Sequence, residues 1–220
     1  MELERPVVFF LLGLPITTTV VTTWAMVAAL TLGAMLMGRR LERTPARWQA
    51  MLEWGLWALR GMMEELGGAD SALYVPLVAT IATFILVANL LGILPGVQAP
   101  TGDINTTAAL AAIVFASVHY AGVRELGCWG YLKRFAQPTP ILLPINILSN
   151  LTRTFSLAIR LFGNVMSHQI IVSIVLLIVP ILVPALLEIF GLFIGVLQAY
   201  IFTLLTMVYI GGALRAGGEL

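Results

Sequence analysis

A single arginine in the middle of a long apolar stretch limits how this chain can fold. Between Pro138 and Pro184 the only formal charges are Arg153 and Arg160, both positive. Placing a guanidinium in hydrocarbon costs about 2.5–3.5 kcal/mol on insertion scales. Arginine stays protonated in proteins, so it cannot avoid this cost by becoming neutral. Arg160 therefore needs a counter-charge that the surrounding sequence does not supply.

The composition is that of an integral membrane protein. Of the 220 residues, 60% are hydrophobic and only 10% are charged, whereas soluble domains carry about 25% charged residues. The net charge of +1 and the scattered basic residues exclude a nucleic-acid-binding surface. Cys128 is the only cysteine, which excludes a multi-cysteine metal site. Motifs for phosphate binding, nucleophilic catalysis and zinc binding are absent. We therefore expect no catalytic site, no metal and no cofactor.

Apolar segments predict an all-α integral membrane protein with about five membrane helices in one domain. About 20 helical residues cross the ~30 Å hydrocarbon core of a bilayer. Pro15 separates a short leading piece from the first span, and Asp103 is expected to cap the N-terminus of the third. The predicted spans are 16–37, 73–94, 104–121, 141–179 and 185–214.

Residues 46–66 have a different pattern, which predicts an amphipathic helix. Apolar residues recur at helical spacing, while the charged residues lie elsewhere on the helical wheel. One interpretation is a helix that lies along the cytoplasmic interface. The other is a short connecting helix that packs on its own protein.

The distribution of basic residues predicts the orientation. Arginines follow the first span directly, and basic residues also follow the third span, whereas the loop 97–102 has none. Nine of the twelve basic residues fall on one predicted side, which the positive-inside rule assigns to the cytoplasm. The N-terminus is then outside and the C-terminus cytoplasmic.

The last two spans are unusually long. No proline interrupts 145–179, so a single helix of over ~50 Å is expected, which is longer than a bilayer-normal helix needs. A turn at 180–184 then leads into a second long helix. The pattern favours a hairpin of two steeply inclined helices, and a kink at Gly163 is the alternative.

Polar side chains form a stripe on the first of these two helices. Ser156, Arg160, Asn164 and His168 recur at intervals of four residues, so they share one helix face. The return helix carries Gly191, Gly195 and Gln198, a small-residue face that allows close helix approach.

These residues identify a family resemblance. The run from Ile145 to Asn164, with Arg160-Leu-Phe-Gly-Asn164, and the run from Gln198 to Ile210 closely resemble subunit a of rotary F-type ATP synthases. The likeness extends over roughly 73–212 and includes Asn89-Leu-Leu-Gly-Ile-Leu-Pro95. The segment 20–24 is similar to a variant bacterial branch, called N-type, that is often presumed to move sodium.

The resemblance implies a non-catalytic, ion-conducting stator subunit in a bacterial inner membrane. Its partners would be a ring of c subunits, each with one acidic side chain at mid-membrane, the b subunits of the peripheral stalk, and the rest of the synthase. Arg160 would attract each carboxylate in turn and favour its ionised form. Two offset half-channels would let H+ or Na+ reach and leave the ring, and Arg160 would block a direct leak between them.

The resemblance also implies roles for individual residues. Asn164 and Gln198 would lie beside Arg160, Ser156 on the inward route, and Asp103 and Asn105 near the outward-facing opening. Arg153 has two interpretations, as part of the cytoplasmic half-channel or as a side chain that snorkels to the headgroups. His119 is expected to be an interfacial histidine rather than a relay.

The chain departs from the family pattern at three positions. Gln169 stands where many relatives have an acidic residue, Gly191 where a histidine or glutamate is frequent, and Asn146 where a glutamate is common. We hypothesise that His168 and Glu188 replace the usual outer-channel pair, displaced by about a turn. The alternative is an outer path of water and amides alone.

Two other function classes are open to a chain of this composition. One is a secondary transporter that binds an anionic substrate at Arg160, although such transporters usually show paired repeats and interrupted helices. The other is a structural membrane scaffold, which gives no reason to bury Arg160.

Overall fold

The computed structural model describes residues 7–11, 14–41, 46–94, 97, 99–135, 141, 143–179 and 182–215. Five of its helical segments are long and apolar enough to cross a membrane, which confirms the predicted all-α membrane class. The helices are α1 (Thr18–Gly38), α2 (Arg47–Gly67), α3 (Val75–Leu91), α4 (Ile104–Phe135), α5 (Leu143–Ile178) and α6 (Leu182–Arg215). Short 3-10 turns at Ala69–Tyr74 and Pro100–Gly102 precede α3 and α4.

A small β-hairpin at the N-terminus is an element that the sequence analysis did not predict. Strand β1 (Val7–Leu11) pairs antiparallel with β2 (Leu14–Thr17). Its valines and phenylalanines favour the extended conformation. The first long helix begins at Thr18, after this hairpin, whereas the sequence predicted a span from residue 16.

The amphipathic segment divides into two parts with different environments. In its second half, Met63 is fully buried, and the backbones of α2 and α6 touch where Gly211 meets Leu66. In its first half, Met51, Trp54 and Trp57 are exposed. The second half thus packs on its own protein, while contact of the first half with the membrane interface stays a prediction.

Helix α4 runs well beyond the predicted span of 104–121. Gly127 has φ of 71°, a left-handed conformation that glycine adopts without strain. The following turn folds back, so that the Tyr131 ring lies against Gly122, where an added Cβ would come within 2.3 Å of Tyr131 Cε2. The segment after Gly127 thereby reaches the first turns of α5.

The two long helices dominate the second half of the chain. α5 has 36 residues and is helical throughout, including at Gly163, the alternative kink position. α6 has 34 residues and begins at Leu182, with Pro184 inside its first turn, a place where proline fits a helix. Each is over 50 Å long, at about 1.5 Å per residue. The steep inclination in the membrane stays a prediction.

Helix α6 is the centre of the fold. It packs against α2, α3, α4 and α5, and Phe202 and Ile210 on α6 are fully buried. On α5, by contrast, only Leu157, Ala158 and Leu161 are buried. One face of α5 is therefore fixed to the bundle, and the opposite face is left on the surface of the chain.

Candidate functional site

Arg160 lies on the outward face of α5. Its side chain is exposed, although the flanking Ala158 and Leu161 are buried. Phe155 and Ile159, beside it on this surface, are 63% and 59% exposed. Among the residues that the structure describes, Arg160 has no hydrogen-bond or ion-pair partner. A permanent cation thus stands in an apolar surface without a counter-charge from the described residues of its own chain.

One turn along α5, Asn164 connects the two long helices. Asn164 Nδ2 donates a hydrogen bond to Gln198 Oε1 at 2.7 Å. Gln198 is only 3% exposed, and its Nε2 is buried without a hydrogen-bond partner in the described part of the chain. Buried polar groups are nearly always paired, so an unpaired Nε2 is unusual, and it is a free donor next to Asn164, one helical turn from Arg160.

A narrow cavity, which we call the Gln198 cavity, opens next to this amide pair. Its volume is about 30 Å³, enough for about one water molecule. Residues of α3, α5 and α6 line it, including Asn89, Asn164, His168, Gln169, Gly191, Gly195 and Gln198.

His168 and Glu188 meet at the edge of this cavity. His168 Nε2 lies 3.5 Å from Glu188 Oε2, and both side chains are partly buried, at 22% and 32% exposure. The imidazole occupies the space above Gly191, where an added Cβ would lie 2.3 Å from Nε2. The absent side chain at position 191 therefore makes room for the ring of His168.

Gln169, the neighbour of His168, contacts the Pro100–Gly102 turn. An added Cβ at Gly102 would lie 3.0 Å from Gln169 Oε1. Asp103, which follows Gly102 in the chain, caps α4 as expected, because its Oδ1 accepts a hydrogen bond from the backbone N–H of Asn105 at 2.9 Å. Asp103 is buried and Asn105 is exposed.

A second and larger cavity, which we call the Arg153 cavity, lies toward the N-terminal end of α5. Its volume is about 610 Å³. Its polar lining comes mainly from α5, with contributions from α4 and α6: Asn146, Ser149, Asn150, Arg153, Thr154, His119, Tyr131 and Tyr209. The described lining residues include no carboxylate. This cavity is therefore polar, roomy and cationic.

His119 is held in a fixed orientation on the wall of the Arg153 cavity. Its Nδ1 is 2.8 Å from the carbonyl oxygen of Phe115, and its ring contacts the rings of Phe115 and Tyr131. Ser156 lies on the exposed face of α5, between Arg153 and Arg160.

The two cavities lie on opposite sides of Arg160 along α5. Arg153 precedes Arg160 by seven residues and His168 follows it by eight, which corresponds to about 10 Å and 12 Å along the helix. The sequence analysis named as site residues the polar residues of the Gln198 cavity except Asn89. In the Arg153 cavity it named Asn146, Arg153 and His119 but missed Ser149, Asn150, Thr154, Tyr131 and Tyr209. A lone asparagine in the apolar helix α3 was the available signal for Asn89.

Comparisons with known proteins identify the family of this chain. The model of the family described as ATP synthase A chain matches residues 20–211. The chain is similar to ATP synthase subunit a 2 of Bradyrhizobium sp. strain BTAi1, with 48% identity over 96% of this chain and 95% of that protein. It is also similar to ATP synthase subunit a 1 of Chlorobaculum parvum, with 47% identity over 92% and 90%. With ATP synthase subunit a of Moorella thermoacetica the identity is 42% over 94% and 95%.

Proposed function

Because the chain belongs to the ATP synthase A chain family, we propose that it is the ion-conducting stator subunit of a rotary F-type ATP synthase. It lies in a bacterial inner membrane, with its N-terminus outside and its C-terminus in the cytoplasm. It contacts a rotating ring of c subunits and is held by the b subunits of the peripheral stalk. It catalyses no reaction itself, and the transported ion is H+ or Na+.

The unpaired guanidinium of Arg160 carries this proposal. A cation in an apolar surface is costly unless a partner neutralises it, and no described residue of this chain does so. A ring carboxylate that arrives at the α5 surface supplies the missing charge. Its attraction to Arg160 favours the ionised carboxylate, which has released its ion.

The Gln198 cavity forms part of the outer half-channel. The free Nε2 donor of Gln198 suits a carboxylate oxygen or an ordered water. His168 and Glu188, 3.5 Å apart, take the place of the usual outer pair. The fit of the His168 ring over Gly191 supports this replacement, because the side chain missing at Gly191 leaves the space that the ring fills. Gln169 and Asn164 complete the path toward Arg160.

The opening of the outer half-channel adjoins the Pro100–Gly102 turn. Gly102 contacts Gln169, and Asn105 is exposed at the start of α4. Asp103 acts there chiefly as a helix cap, because its carboxylate is hydrogen-bonded to the backbone.

The Arg153 cavity forms the cytoplasmic half-channel. Asn146 and Arg153 both line it, which favours the half-channel interpretation of Arg153 over snorkelling. Ser156 lies on the inward route between this cavity and Arg160. The cavity is roomy enough for a water-filled path.

The offset between the cavities accounts for coupling. Arg160 stands between them on α5 and repels cations, so an ion passes from one cavity to the other only on a rotating ring carboxylate. The membrane potential supplies about 2.3 kcal/mol per charge per 100 mV, so several ions must pass for each ATP made.

A secondary transporter with an anionic substrate at Arg160 is not favoured. The similar proteins over nearly the whole chain are ATP synthase subunits.

The substitution Arg160→Lys tests the proposal. Lysine keeps the charge but is a strongly hydrated point charge without the planar guanidinium fork, so ATP-driven generation of membrane potential should be lost. The assay uses the whole synthase in inverted vesicles and a potential-sensitive dye, which responds to either ion. Arg60→Lys is the matched control, because Arg60 is exposed in a surface pair with Glu64. Near-normal potential in Arg160→Lys would contradict the stator mechanism.

A further inference from the structure

Asn89 connects three separate parts of the fold. It lies in the apolar helix α3 and is only 8% exposed. Its Nδ2 donates a hydrogen bond to the carbonyl oxygen of Gly195 in α6 at 2.9 Å. Its Oδ1 accepts a hydrogen bond from Thr101 Oγ1 at 2.7 Å, and Thr101 is fully buried in the turn before α4. We call this set, Asn89, Thr101 and Gly195, the Asn89 clasp.

Close packing surrounds the clasp on both sides. An added Cβ at Gly195 would lie 3.1 Å from Asn89 Cβ, so glycine is what allows α6 to approach this closely. On the other side of the same turn, Gly102 lies against Gln169 of α5. The Pro100–Gly102 turn is therefore connected to α6 through Asn89 and to α5 through Gln169.

The residues held in this way are neighbours of the Gln198 cavity. Gly195 is one turn from both Gly191 and Gln198 on α6, and Gln169 is adjacent to His168 on α5. Because the cavity holds only about 30 Å³, a small change in the spacing of α5 and α6 would open or close it.

We propose that the Asn89 clasp is a positioning device that fixes the spacing of α5 and α6 for ion transport through the Gln198 cavity. This inference rests on the proposed function of that cavity as part of the outer half-channel. Asn89 and Thr101 act through the helices that they hold, so they are positioning residues. The competing explanation is a clasp that only stabilises the folded subunit.

Substitutions at Thr101 separate these explanations. Thr101→Val keeps the shape but removes the hydroxyl donor, and this leaves Asn89 Oδ1 buried without that partner. We expect the initial rate at which ATP generates membrane potential, per assembled complex, to fall about fivefold or more, the factor that corresponds to about 1 kcal/mol. Thr101→Ser keeps the donor and should restore transport. Thr80→Val is the matched control, because Thr80 is an exposed α3 threonine whose hydroxyl bonds within its own helix.

A double substitution tests whether the clasp acts as a unit. If Asn89→Ala already breaks the clasp, Asn89→Ala combined with Thr101→Val should transport no worse than Asn89→Ala alone, because contacting residues in one network do not add. Full additivity of the two losses would contradict a shared positioning role.

Immunoblots of the assembled subunit are measured in parallel with transport. The proposal is overturned if Thr101→Val transports normally, or if its transport falls only in proportion to the amount of assembled subunit. The variant Arg160→Lys shows which proposal is wrong. If only the positioning role of the clasp is wrong, Arg160→Lys still abolishes transport. If the proposed function is wrong, Arg160→Lys transports.

Discussion

Substitution of Gly191 by alanine is a sharp test of the outer half-channel. The added Cβ would lie 2.3 Å from His168 Nε2 and 2.4 Å from Cε1. Carbon atoms pack favourably at about 3.5–4.0 Å, so the imidazole must retreat by about 1 Å or more. The present distance to Glu188 Oε2 is already 3.5 Å, and a ring that retreats loses this contact.

The expected magnitude follows from the cost of overpacking. Such insertions typically cost about 1–3 kcal/mol, which corresponds to a decrease of roughly 5- to 150-fold in the population of the present ring position. If the pair carries the ion, transport by Gly191→Ala should fall to the level of His168→Ala. ATP-driven membrane potential in inverted vesicles, normalised to assembled subunit, measures this.

Matched controls are available on helices away from the site. Gly33 on α1 and Gly61 on α2 have open space where a Cβ would be added, so Gly33→Ala and Gly61→Ala should transport normally. Combining Gly191→Ala with His168→Ala removes the clash and should cause no further loss. Wild-type transport in Gly191→Ala, or a double variant much worse than His168→Ala, would refute the reasoning.

Two further predictions concern stability and assembly. Asp103→Ala removes the cap of α4 and should lower the free energy of unfolding by about 1 kcal/mol, whereas Asp103→Ser should recover most of this loss. Heat inactivation of the complex measures the change, and unchanged inactivation of the alanine variant would argue against the cap. Gly211→Ala would place a Cβ 2.8 Å from the backbone oxygen of Leu66, which would push α2 away from α6. Immunoblots should then show less subunit in the membrane, and normal amounts would contradict this tight contact.

The sequence predicted the helical membrane class because long apolar runs have few other solutions in a bilayer. It also predicted that α5 and α6 are unusually long, since proline is absent from 145–179. Helix ends were less predictable. α4 continues past its apolar part because Gly127 reverses the chain and Tyr131 packs back on Gly122, a tertiary contact that local pattern does not encode.

The candidate site was also only partly predictable from the sequence. Helical periodicity placed Arg160, Asn164 and His168 on one face, because that needs only the geometry of one helix. The fit of His168 over Gly191 joins residues 23 positions apart, and the clasp between Asn89 and Gly195 joins residues 106 apart. Such contacts depend on how helices pack, so a single sequence gives no direct signal for them.

Reversible cross-linking tests whether the counter-charge of Arg160 belongs to a moving neighbouring subunit. Ile159 is exposed beside Arg160, so Ile159→Cys should form a disulfide with a cysteine placed one turn from the acidic side chain of a c subunit. The exposed Cys128 is first replaced by alanine, and Leu32→Cys on α1, also exposed, is the control.

Oxidation should link Ile159→Cys to one c subunit per complex and stop ATP-driven generation of membrane potential. A reductant should reverse both effects. Leu32→Cys should neither cross-link to the ring nor stop transport. If no cross-link to the ring forms at Ile159→Cys, or if transport continues while the disulfide is intact, then a ring carboxylate is not the counter-charge of Arg160.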